Sequence, residues 1–513
     1  MNVCIGVDIG TSSVKGVLVD ERGTVLASAG ETIDLHRPQQ GIAEQDPYEV
    51  LNACHDVVRR LLDASAVHPK DIAAISFDGQ MGGAMAVDAD LEPLTPWHPS
   101  SLDLRYLEAQ QRILDLFGEA PVIERSGSQP ILGAWALRWA EDAELRGRMR
   151  KVLLLANWVA ARVAALPVEE AFIDPSYLTW TGVADTRARR WDDAMVQELG
   201  LSDDVLPNIV RGSTIVGGVG TGSAAATGLR VGTPVVAGVG DQVAGFVGAG
   251  AIAAGQLVDA AGTFPVFAVC LDRYLPDSRV RMLKPLAGPG SDTHWYNMMY
   301  ISGGGLTYDW AVRRLAAGID HAELERRAAA VPPGCGGLLA VPHFLGRACP
   351  DEVDVRGAFV GLSWNHDTEH LFRALLESFA YDYRVALTVI RDQWPDAVFE
   401  QVAVTGGGSR SHLWNNIKAD VLGIPFAPLE GDVATPLGSA IVAATGVGIH
   451  NDLAAAVAAM VPLRHPGKVD GANHALYAHY AEAYERLLNA LKPIYRELAT
   501  LGAVDSKPGP SGR

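Results

Sequence analysis

Two stretches of this chain carry one pattern. VDIGTSSVKGVLVD at 7–20 and VDAAGTFPVFAVCLD at 258–272 each run Val-Asp, then a Gly-Thr turn, then an apolar strand closing on Asp. A single match of this length is weak, because Gly-Thr turns are common. Here the two copies open the two halves of a 513-residue chain, which favours a duplicated domain. A chain of that length also exceeds what one hydrophobic core can hold. Two related lobes would leave a cleft between them, with a Gly-Thr hairpin from each lobe facing in.

Around the first turn, Val3, Ile5, Val7 and Ile9 alternate with Cys4, Gly6 and Asp8, the period of a strand. VKGVLVD and TVLASAG supply a second and a third strand, separated by the turn ERG. The opening is therefore an antiparallel meander, not the strand, G-x-G-x-x-G and helix of a dinucleotide-binding unit. Further along, the pattern predicts a helix at 47–64 entered through Asp46-Pro47, a strand at 71–79, and at 231–250 a buried strand, a carboxylate and a Gly/Ala-rich helix. Helices are expected at about 367–392 and 472–499, the first followed by a strand that ends on Gly406-Gly407-Gly408. The Pro/Gly/Ser composition of 500–513 reads as a disordered tail.

The formal net charge of −18 repels nucleic acid and acidic membranes, so neither is expected as a partner. The five cysteines, at 4, 54, 270, 335 and 349, are odd in number, scattered, and form no C-x-x-C pair. They read as reduced thiols. With no leader pattern at the start and no apolar run of membrane-spanning length, a cytoplasmic protein is expected.

Asp8 poses the chemical question, because a strand in an apolar run usually excludes a carboxylate. Asp8 and Asp241 each end a strand at a glycine turn, so each is expected to project into the cleft. Carboxylates beside phosphates suit Mg²⁺, which prefers oxygen ligands, and Asp8 fits that role. An aspartate can also take the proton of an attacking hydroxyl, and Asp241 fits that one. Asp241 could also be the N-cap of the helix that follows it, and the two roles can coexist. The turn at Gly10, Thr11, Ser12 and Ser13 offers backbone N–H groups and hydroxyls to an anion, and Lys15 adds a charge. Gly407 and Gly408 stand between a strand and a helix, where backbone can approach a ligand closely. Trp97 is the one tryptophan placed as a sugar platform.

The chain resembles the FGGY carbohydrate kinases of the actin-like ATPase superfamily from about Val3 to the final helix. VDIGTSSVK is similar to the family's first phosphate hairpin, and FDGQMGG (77–83) to its xylulokinase-type sugar-contact motif. GVGDQVAGFVGAG resembles the catalytic-Asp motif, AGT (261–263) the second hairpin, and TGGGSRSHLWNNIKADVLGIP the adenosine site. The resemblance implies an α/β fold of two ribonuclease H-like lobes, each a mixed five-stranded sheet with flanking helices. The lobes would be 1–243 for the sugar and first hairpin, and 244–499 for the nucleotide. It implies ATP and Mg²⁺, with Asp241 as general base and metal neighbour and Asp8 on the metal. Thr11, Ser12, Gly262 and Thr263 would line the phosphates, and Gly305, Gly408 and Asn416 the nucleotide. Gln80, Met81, Gly82, Asp103, Arg105 and Gln242 would face the sugar.

Three departures stand out, of which the first two bear on the identity of the sugar. Gly82 stands where the xylulokinase-type motif has His. WHPSSLDLR (97–105) lengthens the family's Trp-x-Asp-x-Arg element. PHFLGRACP (342–350) lacks the Glu-Arg of Gly-Glu-Arg-Thr-Pro. The expected reaction is phosphorylation of a primary hydroxyl of a small ketose or polyol. D-xylulose is the leading candidate, with ribulose, erythritol and glycerol as alternatives. A homodimer is a family-level expectation. The rival of another class is a sugar-sensing regulator on a dead kinase fold, which should have lost Asp8, Asp241 or a hairpin; a filament or chaperone ATPase is the third reading.

Overall fold

The computed structural model describes residues 2–429, 433–462 and 465–505. The chain opens as expected, with strands β1 (Val3–Ile9), β2 (Ser13–Asp20) and β3 (Val25–Thr32) in an antiparallel meander. Helix α1 (Pro47–Asp63) follows, started by the Asp46 side chain, which accepts from the Tyr48 N–H at 2.8 Å, and by Pro47 in the first turn. Its buried residues Val50, Leu51, Cys54, Val57, Val58 and Leu61 fall on one helical face, which lies over Gly16 of β2. Strand β4 (Ile72–Gly79) then runs parallel to β1, and β5 (Ile215–Gly218) and β6 (Pro234–Val236) complete the order β5-β6-β4-β1-β2-β3.

The second lobe repeats the plan. Strands β7 (Leu257–Ala260), β8 (Val266–Leu271), β9 (Lys284–Ala287), β10 (Trp295–Tyr300), β11 (Val402–Thr405) and β12 (Phe426–Pro428) form the order β9-β10-β8-β7-β11-β12. Removing β5 from one sheet and β9 from the other leaves the same five-stranded arrangement twice. Each sheet has six strands rather than five because a short antiparallel strand covers one open edge, next to β6 in the first lobe and next to β10 in the second.

The anticipated boundary at 243/244 falls inside helix α2 (Asp241–Gly248). The chain also returns to the first lobe late. Helix α3 (Ala434–Gly446) packs on the first sheet, and its Leu437, Ala440 and Ile441 belong to that lobe's core. The approach is backbone to backbone. A Cβ on Gly6 would lie 1.9 Å from the Pro436 carbonyl oxygen, one on Gly438 1.8 Å from that of Ala244, and one on Gly248 1.8 Å from that of Ala434. Helices α2 and α3 thus cross at a glycine contact between the lobes. Gly438→Ala should cost about 1–3 kcal/mol through overpacking, read as a lower urea midpoint; an unchanged midpoint would mean that the crossing yields freely.

The final helix, α4 (Gly471–Asp505), runs six residues into the stretch expected to be disordered. The Pro/Gly/Ser composition starts only at Ser506, and 506–513 lie outside the described residues. Among the described residues no helix is long and apolar enough to cross a membrane.

Candidate active site between the lobes

Asp8 and Asp78 are neighbours on the parallel strands β1 and β4, and Asp8 faces Lys15 across the β1–β2 pair. These side chains share the sheet face that carries Gly6, the face covered by α3, and Ser439 of that helix donates a hydrogen bond to Asp78. Asp241 joins them at the first position of α2, with Gly240 as the N-cap, so the capping alternative does not hold. Its Oδ1 accepts from the Gln242 N–H at 2.6 Å. Burial, and then the charge of Asp8, push the Asp241 carboxyl up to about 7. Burial and the same neighbour raise Asp78 well above the usual carboxylate range.

The turn that carries Asp241 is held from behind. Ser176 Oγ accepts from the Gly240 N–H at 2.8 Å, and the Tyr177 hydroxyl donates to the Val239 carbonyl at 3.1 Å. Both residues are buried, and Asp174 accepts from the Ser176 N–H at 2.8 Å. Ser176→Ala orphans the Gly240 N–H and should cost about 1–3 kcal/mol of stability. It should also lower kcat more than it alters substrate KM, because Asp241 is displaced; equal stability and unchanged kcat would remove Ser176 from this supporting role.

The hairpins are stitched into place by backbone. Gly10 N–H donates to the Ser13 carbonyl at 3.0 Å and Gly262 N–H to the Ala260 carbonyl at 2.9 Å, so each turn's glycine N–H is used internally. Gly408 N–H donates to the Ala261 carbonyl at 2.9 Å and Gly305 N–H to the Thr263 carbonyl at 3.0 Å. A Cβ on Gly305 would lie 2.5 Å from the Gly262 oxygen, which explains glycine there.

Two cavities meet at these hairpins. One, of about 710 Å³, is lined by Lys15, Gly262, Thr263, Gly305, Gly407 and Gly408, with Tyr308 and Trp414 stacked on each other in its wall at 5.7 Å between centroids. The other, of about 290 Å³, is lined by Thr11, Gln80, Met81, Gly82, Asp241 and Gln242. Thr263 belongs to the larger and Phe264 to the smaller, so the second hairpin divides them.

Several expected residues are elsewhere. Asn416 is exposed and lines neither cavity; its neighbour Asn415 is the buried one, donating to the Ser409 carbonyl at 2.8 Å. Gly10, Ser12 and Ser13 shape the first hairpin without lining either cavity. Trp97 is fully buried and is no sugar platform, because it packs on bare Gly83, whose Cβ would lie 2.3 Å from the indole. Arg105 spends its guanidinium on Asp103, on Glu44 at 2.7 Å and on His98 Nδ1 at 2.9 Å. Asp103 is fully buried; burial raises its carboxyl, but hydrogen bonds from the Arg105 side chain and from the Arg105 and Ala43 N–H groups outweigh that and hold it well below the usual range. Neither Asp103 nor Arg105 lines the smaller cavity.

Other lining residues were not foreseen: Tyr106, Ile131, Trp180, Met298 and Tyr300. Asp78 was not foreseen either, although FDG ends its strand with Asp-Gly as DIG nearly does after β1. Met298 and Tyr300 could have been found from the alternation in WYNMMY.

The family model of the FGGY family of carbohydrate kinases, N-terminal domain, matches residues 3–248, and that of the C-terminal domain matches 261–447. A xylulose kinase of Staphylococcus epidermidis is 27% identical over 97% of this chain and 99% of its own length. An autoinducer-2 kinase of Klebsiella pneumoniae is 28% identical over 99% of this chain and 96% of its own. A gluconokinase of Bacillus subtilis is 28% identical over 86% and 87%. The crystal structure of a xylulose kinase from Rhodospirillum rubrum superposes with a TM-score of 0.86 at 26% identity, covering 96% of this chain and all of that one. With both family domains matched in order across most of its length, the chain belongs to the FGGY family of carbohydrate kinases and is a phosphotransferase.

Proposed function

We propose that this kinase moves the γ-phosphoryl group of ATP to a primary hydroxyl of a small neutral ketose or polyol, with D-xylulose the first substrate to test. One observation carries the reading. A carboxyl poised near neutrality, Asp241, lines a sugar-sized cavity that meets a nucleotide-sized cleft at the two hairpins. In the proposed reaction the hydroxyl oxygen forms a bond to the γ-phosphorus, the bond from that phosphorus to the β,γ-bridging oxygen breaks, and ADP leaves. Asp241 accepts the hydroxyl proton. Thr11 and Thr263 border the transferring group, Lys15 supplies positive charge, and the adenosine lies toward Tyr308 and Gly407-Gly408.

The chemistry of the carboxylates fits a divalent ion. Asp8, Asp78 and Asp241 offer only oxygen, and the charge of Asp8 raises both of the others, a repulsion that a cation relieves. Asp8 and Asp241 would hold Mg²⁺, directly or through water, and the ion would neutralise charge on the phosphates. A cytoplasmic location is part of the same proposal.

The test is sugar-dependent ADP release over a panel of D-xylulose, D-ribulose, erythritol, glycerol and D-gluconate. Release with at least one neutral member supports the reading. ATP turnover indifferent to every sugar and polyol contradicts it.

A further inference from the structure

Asp78 takes no part in the proton transfer described above, yet its surroundings are unusual. It is fully buried on β4, in register with Asp8 of β1. One of its oxygens, Oδ2, accepts from Ser439 of α3. The other, Oδ1, is buried and has no hydrogen-bond partner among the described residues. A buried polar atom left unmet is uncommon in a folded protein, and a bound ion is one of the few things that account for it. Asp8 is within hydrogen-bonding reach of Asp78, and Asp241 also acts on it through its charge. Ionised carboxylates offer only acceptors, so neither can satisfy Oδ1.

The second lobe shows the same strand pair arranged without a cation to receive. There β7 and β11 run parallel as β1 and β4 do, and Asp259, the counterpart of Asp8, is in register with Val404. That single carboxylate is neutralised inside the chain by Lys418. In the first lobe the place of Val404 is taken by a second carboxylate, Asp78, and Asp241 on α2 adds a third. Lys15 faces Asp8 across β1 and β2 and brings one positive charge to this group. The frame is stiff, because α2, which carries Asp241, and α3, which carries Ser439, meet backbone to backbone at Gly248 and Gly438.

We infer that Asp78 is a third member of the cation site, a positioning residue behind Asp8, and that with it the enzyme takes up a divalent cation before any nucleotide binds. The inference rests on the kinase reading above and adds to it. Mg²⁺ is ordinarily held by one or two carboxylates together with the phosphates of the substrate, so two carboxylates alone would wait for the nucleotide. A third, on a frame of two strands and a helix end, raises both the charge count and the rigidity on which affinity depends.

Mn²⁺ shares the preference of Mg²⁺ for carboxylate oxygen and serves as the probe. It is titrated into the full-length protein at pH 8 without nucleotide, and the free ion is read by electron paramagnetic resonance. A tight site should fill, and Asp78→Asn should weaken it by about 10–100-fold. Asparagine keeps the shape and still accepts from Ser439, so a merely structural role for Asp78 predicts no change. Should that variant fail to fold, Asp78→Ser takes its place, with the same loss expected.

Equal Mn²⁺ affinity in the wild type and the variant, or Mn²⁺ bound by the wild type only when ADP is present, overturns the inference and leaves the kinase reading standing. Mn²⁺ bound neither with nor without ADP overturns the cation part of that reading as well.

Discussion

Asp241→Asn should lower kcat by roughly 10²–10⁴-fold and leave nucleotide affinity nearly unchanged, because the larger cavity is built from other residues. The substitution keeps shape and removes only the capacity to take a proton. It should also make the protein more stable. The folded-state carboxyl sits at about 7, above its ordinary 3.8, so the native state binds this proton more tightly than the unfolded chain does. The carboxylate therefore costs nothing below about pH 4, costs progressively more between about 4 and 7, and costs its full amount above. The full shift is discounted because Asp241 is only half-buried. On that basis the Asn variant should gain about 1–2 kcal/mol at pH 8 and nothing near pH 4. Urea titrations at the two pH values, beside ADP release, check both halves. Near-normal kcat would remove Asp241 from the role of base, and equal stability at pH 8 would remove the repulsion.

Lys418→Met should be the most destabilising single change outside the site. The repeat at 258–272 carries its own carboxylate, Asp259, the counterpart of Asp8, and its environment is quite different. Asp259 and Lys418 are both fully buried and hydrogen-bonded to each other, and the Tyr383 hydroxyl donates to Asp259 at 2.8 Å. Burial pushes the Lys418 ammonium down, and Asp259 opposes that shift. Removing the lysine strands a carboxylate in the core, at about 3–5 kcal/mol. Replacing both partners by apolar residues, Lys418→Met with Asp259→Leu, should recover most of the loss, because no charge then remains to desolvate. A loss below about 1 kcal/mol in the single variant would show that the core admits water there.

The two copies of one motif thus divide the work. In the first lobe the strand-end carboxylate is half-buried, and its cross-strand neighbour Lys15 lines the larger cavity. In the second the carboxylate is sealed and neutralised.

What the sequence disclosed follows the physics of each signal. The meander, both hairpins and the positions of Asp8 and Asp241 were legible because period-two alternation broken by Gly-Thr leaves few other folds. The edge strands Ile215–Gly218 and Lys284–Ala287 were not, since IVGG and KPLA are too short and too rich in Gly or Pro to alternate. Asn416 was misplaced by helix phase, one residue turning a side chain about 100° round the axis. Arg105 and Asp103 are expected at the sugar only through the likeness of 97–105 to the family's Trp-x-Asp-x-Arg element. Their partner Glu44 comes from another segment, and although His98 stands in the same stretch, no local pattern shows that the chain turns back to bring these side chains together. Asp78 escaped because its meaning depends on β4 lying parallel to β1, a tertiary fact.

The central claim is that one carboxylate and two hairpins deliver a phosphoryl group to a terminal alcohol. It is tested most directly by product analysis: the enzyme, ATP, Mg²⁺ and the neutral substrate that promotes ADP release, followed by phosphorus NMR. The expected product is one phosphate monoester, coupled to a terminal CH₂, formed mole for mole with ADP and absent with Asp241→Asn. ADP accompanied by inorganic phosphate alone, or an ester formed equally well by the Asn variant, would contradict the account.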